Sequence, residues 1–382
     1  MNPIVIDVET TISNKGNAYD QTNKLCYIGV KGQDFVCAFP IEYNNEPFGD
    51  KLDFVQQLVD DSGFIVGFNL KFDLAWLKKY SIDISNVRVW DCQLVHFILT
   101  GQQNPYPSLD GVASHYQLGS KLDAVATYWE QGIDTPDIPQ EILEEYLVQD
   151  LELTWKVFEK QVEEVKKQPK AMQNLIGLHN SDLLVLLEME YNGLYFDETR
   201  CNELAQGLRE ELVEIDRELY QYHSCPHFNP ASTNHISLLL YGGRIVFRER
   251  QVIGAYKTGP RKGEVKHGWV DVPWEFPRLV KPLKGSELAK EGFYSTDEPT
   301  LRQLKGAKKV IELLLRRAEL EKRVGTYYEG LVNLRKEMNW VEGELHGQLN
   351  QVVARTGRLS SSKPNLQNID SKIKEVFRSK YV

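Results

Sequence analysis

The sequence predicts an α/β domain in the first 160 or so residues and a mainly helical region after it. Short β-branched apolar runs alternate with amphipathic helical stretches up to about residue 165. From Pro169 onward the texture changes to long helical stretches. At 382 residues the chain is also too long for one ordinary core, so two or three domains are expected.

The first element, Ile4-Val5-Ile6-Asp7-Val8-Glu9-Thr10, is β-branched and apolar until it reaches its acids, the pattern of a buried strand with a functional end. Residues 25–30 and 34–39 read as two further strands joined by a Lys31-Gly32-Gln33 turn, which makes the three an antiparallel meander. Residues 54–59 read as helix, 64–67 as a short strand and 72–80 as an amphipathic helix. Helical patterns over 91–99 and 142–165 close the domain. Beyond it, 183–190, 201–222 and 301–334 are helical by period. Between the last two lies 241–295, rich in Gly, Pro and basic residues around Lys257-Thr258-Gly259-Pro260-Arg261-Lys262-Gly263, where a basic loop or short hairpin is expected.

Hydrophobic residues make up 42% and charged residues 26%, and no apolar run approaches the roughly 20 residues of a membrane helix, so a soluble globular protein with no membrane partner is expected. Met1-Asn2-Pro3-Ile4-Val5-Ile6 lacks a basic leader and meets an acid at Asp7, which argues against a secretory signal. Cys26, Cys37, Cys92, Cys201 and Cys225 show no paired spacing and fit reduced thiols in a cytoplasm. His223-Ser224-Cys225-Pro226-His227 lacks the second ligand pair of a zinc site, and no Gly-rich phosphate loop occurs, so zinc and ATP-hydrolysis readings fall away. The net charge of −9 is uneven, −13 over residues 1–160 and +4 over 161–382. An acidic front that holds cations and a basic back that tracks phosphates form one consistent division of labour; random surface imbalance is the alternative.

Phosphodiester hydrolysis needs an activated water and neutralised charge on the attacking and leaving oxygens, which two divalent cations about 3.5–4 Å apart provide. Such hard cations require several carboxylates at one point. Asp7 and Glu9 stand two apart on a strand and share a face. Asp73 follows a strand within Gly67-Phe68-Asn69-Leu70-Lys71-Phe72-Asp73. Tyr146 and Asp150 stand four apart on a helix, so a phenol and a carboxylate can approach the same water. Each has a structural alternative: a solvated strand edge, an acid favoured by a helix N-terminus, and a half-buried side-chain pair.

Together, in order and spacing, these segments resemble the three motifs of the proofreading exonuclease domain of family A DNA polymerases, the DNA polymerase I family. The resemblance implies an RNase H-like α/β fold, a mixed sheet with helices. It implies Asp7, Glu9, Asp73 and Asp150 as ligands of two divalent cations, Mg²⁺ or Mn²⁺, with Tyr146 orienting the attacking water. Asn69 would support the bound strand and Thr10 would line the site near the terminal nucleotide. Asp91 matches a family position near the site without being a ligand. A phenol of ordinary pKa about 10 is a poor general base, which agrees with an orienting role for Tyr146.

The resemblance continues. Leu186-Leu187-Glu188-Met189-Glu190-Tyr191-Asn192-Gly193-Leu194-Tyr195-Phe196-Asp197 is similar to the opening of the polymerase region, and residues 317–331 are similar to the tip and returning helix of a thumb. Thr356-Gly357-Arg358-Leu359-Ser360-Ser361-Ser362-Lys363-Pro364-Asn365-Leu366-Gln367-Asn368-Ile369 is nearly a family signature. By resemblance Arg358, Gln367 and Asn368 reach the minor groove of a primer-template duplex near the primer end, and Lys322 contacts backbone phosphate. The alternatives are a loop arginine paired with an acid and a lysine on a solvated helix face. The basic 241–295 segment exceeds the family minimum and resembles phage-type members. The sequence stops at Val382, before the palm aspartates and fingers helix of the family. The expectation is the front piece of a split polymerase, completed by a second fragment carrying palm and fingers, with a truncation or an interrupted gene as alternatives.

The expected organisation is thus an exonuclease domain over 1–165, polymerase-region opening and helical thumb over 166–345 with the basic insertion, and the first palm strands over 346–382. The expected activity is removal of nucleotides from single-stranded 3′ ends of DNA during replication, in the cytoplasm of a bacterial or phage-infected cell. Selectivity for errors follows from fraying, since each base-pair step is held by only about 1.4 kcal/mol of stacking. A free-standing nuclease similar to ribonuclease D and a non-catalytic DNA-binding subunit of a split polymerase are the competing readings.

Overall fold

The apolar run at the start of the chain forms strand β1 (Ile4–Thr10), the middle of a five-stranded mixed sheet. The computed structural model describes residues 2–43, 48–119 and 124–379. β2 (Leu25–Lys31) pairs antiparallel with β1, and β3 (Val36–Pro40) antiparallel with β2, completing the expected meander. Helix α1 (Gly49–Ser62) leads to β4 (Phe64–Gly67), parallel to β1 on its other side. Helix α2 (Lys71–Lys79) leads to β5 (Arg88–Asp91), parallel to β4. The order β3-β2-β1-β4-β5, with its parallel neighbours joined through helices, is the mixed arrangement expected of an RNase H-like fold.

Helices cover both faces of the sheet, which is why β1 is apolar on both sides. Ile4, Ile6 and Val8 pack with Leu74, Trp76 and Phe97, while Val5 packs on the other face with Tyr27 and Leu147. The remaining helices of this layer are α3 (Cys92–Leu99), α4 (Leu109–His115), α5 (Ala124–Glu130) and the 28-residue α6 (Gln140–Lys167). At Gly29 of β2 a Cβ would stand 2.7 Å from Leu151 Cδ1 and 2.8 Å from Leu147 Cγ of α6. The absent side chain lets α6, which carries Tyr146 and Asp150, lie close on the sheet.

Two compact units are present, residues 1–198 with 331–382, and residues 199–330. The first continues through α7 (Lys170–Asn192) and β6 (Leu194–Phe196). The second is mainly helical, with α8 (Glu198–His223) and α9 (Thr233–Tyr241) followed by a hairpin of β7 (Gly243–Ala255) and β8 (Val265–Phe276). A hairpin is present where a basic loop or short hairpin was expected, and it is longer, because Ile245, Phe247, Val270, Val272 and Trp274 alternate along its length and give it one stickier face. The single helical stretch expected over 301–334 is divided into α10 (Glu298–Gln303), α11 (Lys308–Lys322), a π-turn at Arg323–Tyr328 and α12 (Glu329–Glu337). Leu304 is extended and ends α10, and Gly306 and Ala307 then take positive φ angles of 121° and 47° before α11 starts afresh. Ile215, Leu219, Leu240, Val310 and Leu314 form the core of this unit.

The chain then returns to the first unit in short strands, β9 (Glu344–Leu345), β10 (Gln348–Asn350), β11 (Ser360–Ser362) and β12 (Phe377–Arg378). β6 lies between β12 and β9, and β10 pairs with β11. Buried polar bonds fasten this segment to the first: Lys71 Nζ donates to Glu190 Oε1 at 2.5 Å and to the Leu349 carbonyl at 2.6 Å. Among the described residues no helix is long and apolar enough to cross a membrane.

Candidate active site

β1 ends in the acids that its apolar half positions. Asp7, Glu9 and Thr10 from β1 and Tyr146 and Asp150 from α6 line one cleft of about 330 Å³. Glu9, Thr10, Tyr146 and Asp150 are buried and Asp7 is half-buried. The strand spacing of two and the helix spacing of four thus aim at one space, as their periodicities require. Asp73 lies in the first turn of α2, 2% exposed, and its Oδ1 accepts from the Val8 amide at 3.1 Å. It is not among the residues that line the cleft, but it stands close enough to Asp7 for the two charges to act on each other. Burial first, and the charge of Asp7 next, push the Asp73 carboxyl well above the usual carboxylate range.

Asn69 lines an adjoining cavity of about 220 Å³, together with Lys71, Tyr19 and Glu190. Lys15 and Phe72 border both this cavity and the carboxylate cleft. Asn69 adopts φ 59°, a conformation held from below by Asp91. The Asp91 carboxylate accepts from the amides of Asn69 at 3.2 Å, Leu70 at 3.1 Å, Gln93 at 2.8 Å and Leu94 at 3.2 Å. It therefore caps α3 and ties the β4–α2 turn to it. Asp91 is thus the last residue of β5 and the N-cap of α3, and its place beside Asn69 is that of a support.

Three further supports escaped the sequence reading. Trp129 meets Tyr146 edge to face, with ring centroids 5.9 Å apart. Its Nε1 donates to Thr135 Oγ1 at 3.2 Å, and Thr135 Oγ1 donates to the Thr10 carbonyl at 2.6 Å. This chain joins the end of β1 to the face of Tyr146. Gly16, at φ 66°, packs where a Cβ would stand 2.3 Å from Thr10 Oγ1, and its carbonyl accepts from Trp76 Nε1 at 2.9 Å. Only glycine fits both the conformation and the space.

The other sequence candidates do not line the cleft. Arg358 is exposed between β10 and β11 and forms no ion pair among the described residues. Gln367 and Asn368 are exposed on a short 3₁₀ turn, Leu366–Asn368, where Gln367 Nε2 donates to the Leu359 carbonyl at 2.9 Å. Lys322, in the second unit, is exposed in the last turn of α11.

The carboxylate oxygens of the cleft are the kind of donor that hard divalent cations take. Among the described residues no three acidic, His or Cys side chains are gathered tightly enough to hold a metal ion.

Residues 1–166 match the family described as 3′-5′ exonuclease, and residues 276–381 match DNA polymerase family A. DNA polymerase I of Synechocystis sp. is 27% identical over 305 residues, covering 79% of this chain and 26% of that protein. DNA polymerase I of Geobacillus stearothermophilus is 27% identical over 323 residues, covering 84% of this chain and 32% of that one. The thermostable DNA polymerase I of Thermus filiformis is 45% identical over 185 residues, 48% of this chain and 17% of its own length. The chain thus spans a third or less of each of these relatives. The POL domain of Pol1 from M. smegmatis, solved with DNA primer-template and dNTP, shares the fold with a TM-score of 0.63 at 18% identity, over 96% of this chain and 52% of that one. The two family matches, one over the RNase H-like sheet and its cleft and one over the end of the chain, place this protein in DNA polymerase family A, with residues 1–166 as its 3′-5′ exonuclease domain.

Proposed function

We propose that the cleft at the end of β1 removes nucleotides from the 3′ end of single-stranded DNA, as a proofreading site. The observation that carries this is the convergence of Asp7, Glu9, Tyr146 and Asp150 on one cleft, with Asp73 near enough to Asp7 to feel its charge, within the exonuclease domain. Two divalent cations, Mg²⁺ or Mn²⁺, held by Asp7, Glu9, Asp73 and Asp150, would supply the activated water and neutralise charge on the phosphate. The chain's own residues do the positioning. Tyr146, braced by Trp129, orients the water through its hydroxyl; Thr10 and Phe72 pack beside the terminal nucleotide; Asn69 supports the strand behind it. DNA as substrate is supported by the relatives, which are DNA polymerases. Arg358, Gln367 and Asn368 would face the minor groove of the duplex and Lys322 a backbone phosphate, each being exposed. A reducing, cytoplasmic setting is supported by the free thiols of Cys26, Cys37, Cys92 and Cys225.

The test is digestion of labelled single-stranded DNA and of the matched RNA, with Mg²⁺ or Mn²⁺. Shortening of DNA from its 3′ end, abolished by the Asp7→Ala, Glu9→Ala double variant, is expected. Preference for RNA would move the reading to a ribonuclease D-like trimming enzyme, and undiminished digestion by the double variant would remove the site.

A further inference from the structure

The β7–β8 hairpin is used by none of the chemistry above, and its two ends differ. At its base Ile245, Phe247 and Trp274 pack against Cys225, Leu238, Phe276 and Phe293, and His227 Nε2 meets Glu249 Oε1 at 2.6 Å. Beyond Glu249 that support stops, and residues 250–255 are exposed throughout. Such a ribbon spends backbone order on a surface that buries nothing further within this unit, which is the signature of an element built to meet something else.

Its charge indicates what. Residues 243–276 carry seven Lys and Arg against four acids, in a chain whose net charge is −9. Near the base the charges cancel: Arg248 pairs with Asp271 at 3.6 Å, and Arg244 stands across the ladder from Glu275. Toward the tip they do not. Arg250, Lys257, Lys262 and Lys266 form no ion pair among the described residues. Arg250 stands opposite Trp269, which is 66% exposed, and Val252 stands opposite His267. An apolar patch ringed by balanced charge would suit a protein; an exposed indole among unpaired cations suits phosphates and bases. A two-stranded ribbon also has the width that a major groove admits.

We propose that the distal end of this hairpin is a nucleic-acid contact, with Arg250, Lys257, Lys262 and Lys266 on backbone phosphates and Trp269 against the sugar or base beside them. It is a second binding site, distinct from the exonuclease cleft, and does not depend on that cleft being active.

The experiment compares the full-length chain with a variant carrying Arg250→Gln, Lys257→Gln, Lys262→Gln and Lys266→Gln. Binding of fluorescent duplex and single-stranded DNA is followed by anisotropy in EDTA across a salt titration, so hydrolysis plays no part and failure of the exonuclease reading leaves the result interpretable. Affinity for at least one DNA form should fall about tenfold or more, and for four lost phosphate contacts the log–log salt slope should become shallower by about 3.6 on duplex or about 2.8 on single strands. Loss on duplex alone assigns a groove contact, and loss on single strands alone assigns stacking on Trp269. A tip-only variant, Lys257→Glu with Lys262→Glu, leaves the ladder untouched and should weaken the same form. Unchanged affinity and slope on both forms, with an unchanged far-UV spectrum, would overturn the proposal and leave the hairpin to a protein partner.

Discussion

Replacing Asp91 by Asn exchanges one carboxylate oxygen for an amide nitrogen and leaves the side-chain shape alone. With the carbonyl at the Oδ1 position, the bonds from Asn69, Gln93 and Leu94 survive, and only the Leu70 amide loses its acceptor. Leu70 is fully buried, so that loss costs about 1–3 kcal/mol. The removed charge acts in the other direction. Burial holds the Asp91 carboxyl up at about 6, against the four amides that favour its ionised form. Because this lies above the ordinary value of 3.8, the stability Asp91 contributes is full below 3.8 and is lost as pH rises through 6, about 3 kcal/mol in all. About 2 kcal/mol of it is regained by the parent at about pH 4.5. Urea unfolding of parent and Asp91→Asn, read by tryptophan fluorescence, should therefore show near parity at about pH 8 and a gap wider by about 2 kcal/mol at about pH 4.5. A gap that stays constant across that range would show that the amides, not burial, dominate this carboxylate, and would refute the reasoning.

Other consequences follow from the supports around the cleft. Thr135→Val removes the hydroxyl between Trp129 and the Thr10 carbonyl; a stability loss of about 1–3 kcal/mol in thermal melts and a fall in kcat of about tenfold, with KM little changed, are expected. Gly16→Ala forces a Cβ against Thr10 Oγ1 at a positive φ, and should cost about 1–3 kcal/mol and most nuclease activity, both absent in a control substitution at the exposed Lys166→Ala. Glu190→Gln removes the charge that faces Lys71 and should destabilise the chain by roughly 2–4 kcal/mol in urea, because Lys71 is only 18% exposed. Chelation by EDTA should stop digestion and re-addition of Mg²⁺ or Mn²⁺ restore it, measured on the same labelled strand.

Much of the site was legible because short-range geometry fixes it. An apolar β-branched run must be buried, so Asp7 and Glu9 at its end had to share a face. A helix spacing of four placed Tyr146 and Asp150 together without knowledge of the sheet. What was illegible arrives through long-range contacts. Thr135 meets Thr10 across 125 residues, and nothing local distinguishes it from any other threonine. Asp91 was read into a helix because β5 is only four residues long and the helical pattern begins immediately after it. In the second unit, the Gly-Pro tip of the hairpin was visible, but charged residues on its exposed side hid the alternation that extends it into strands of 13 and 12 residues. In the thumb-like stretch the apolar period carries through residues 304–307, where the break is a matter of backbone angles, extended at Leu304 and positive in φ at Gly306 and Ala307.

The central claim is that the cleft closed by β1 and α6 is a 3′ end-trimming site, and one assay reaches it directly. Single-stranded DNA labelled at its 5′ end is incubated with the full-length chain and Mg²⁺, and the products are resolved at single-nucleotide steps, for the parent and for the Asp7→Ala, Glu9→Ala variant. A ladder shortening from the 3′ end is expected for the parent and intact DNA for the variant, with both proteins equally folded. A ladder of equal rate from the variant, or no shortening by the parent under either metal, would contradict it.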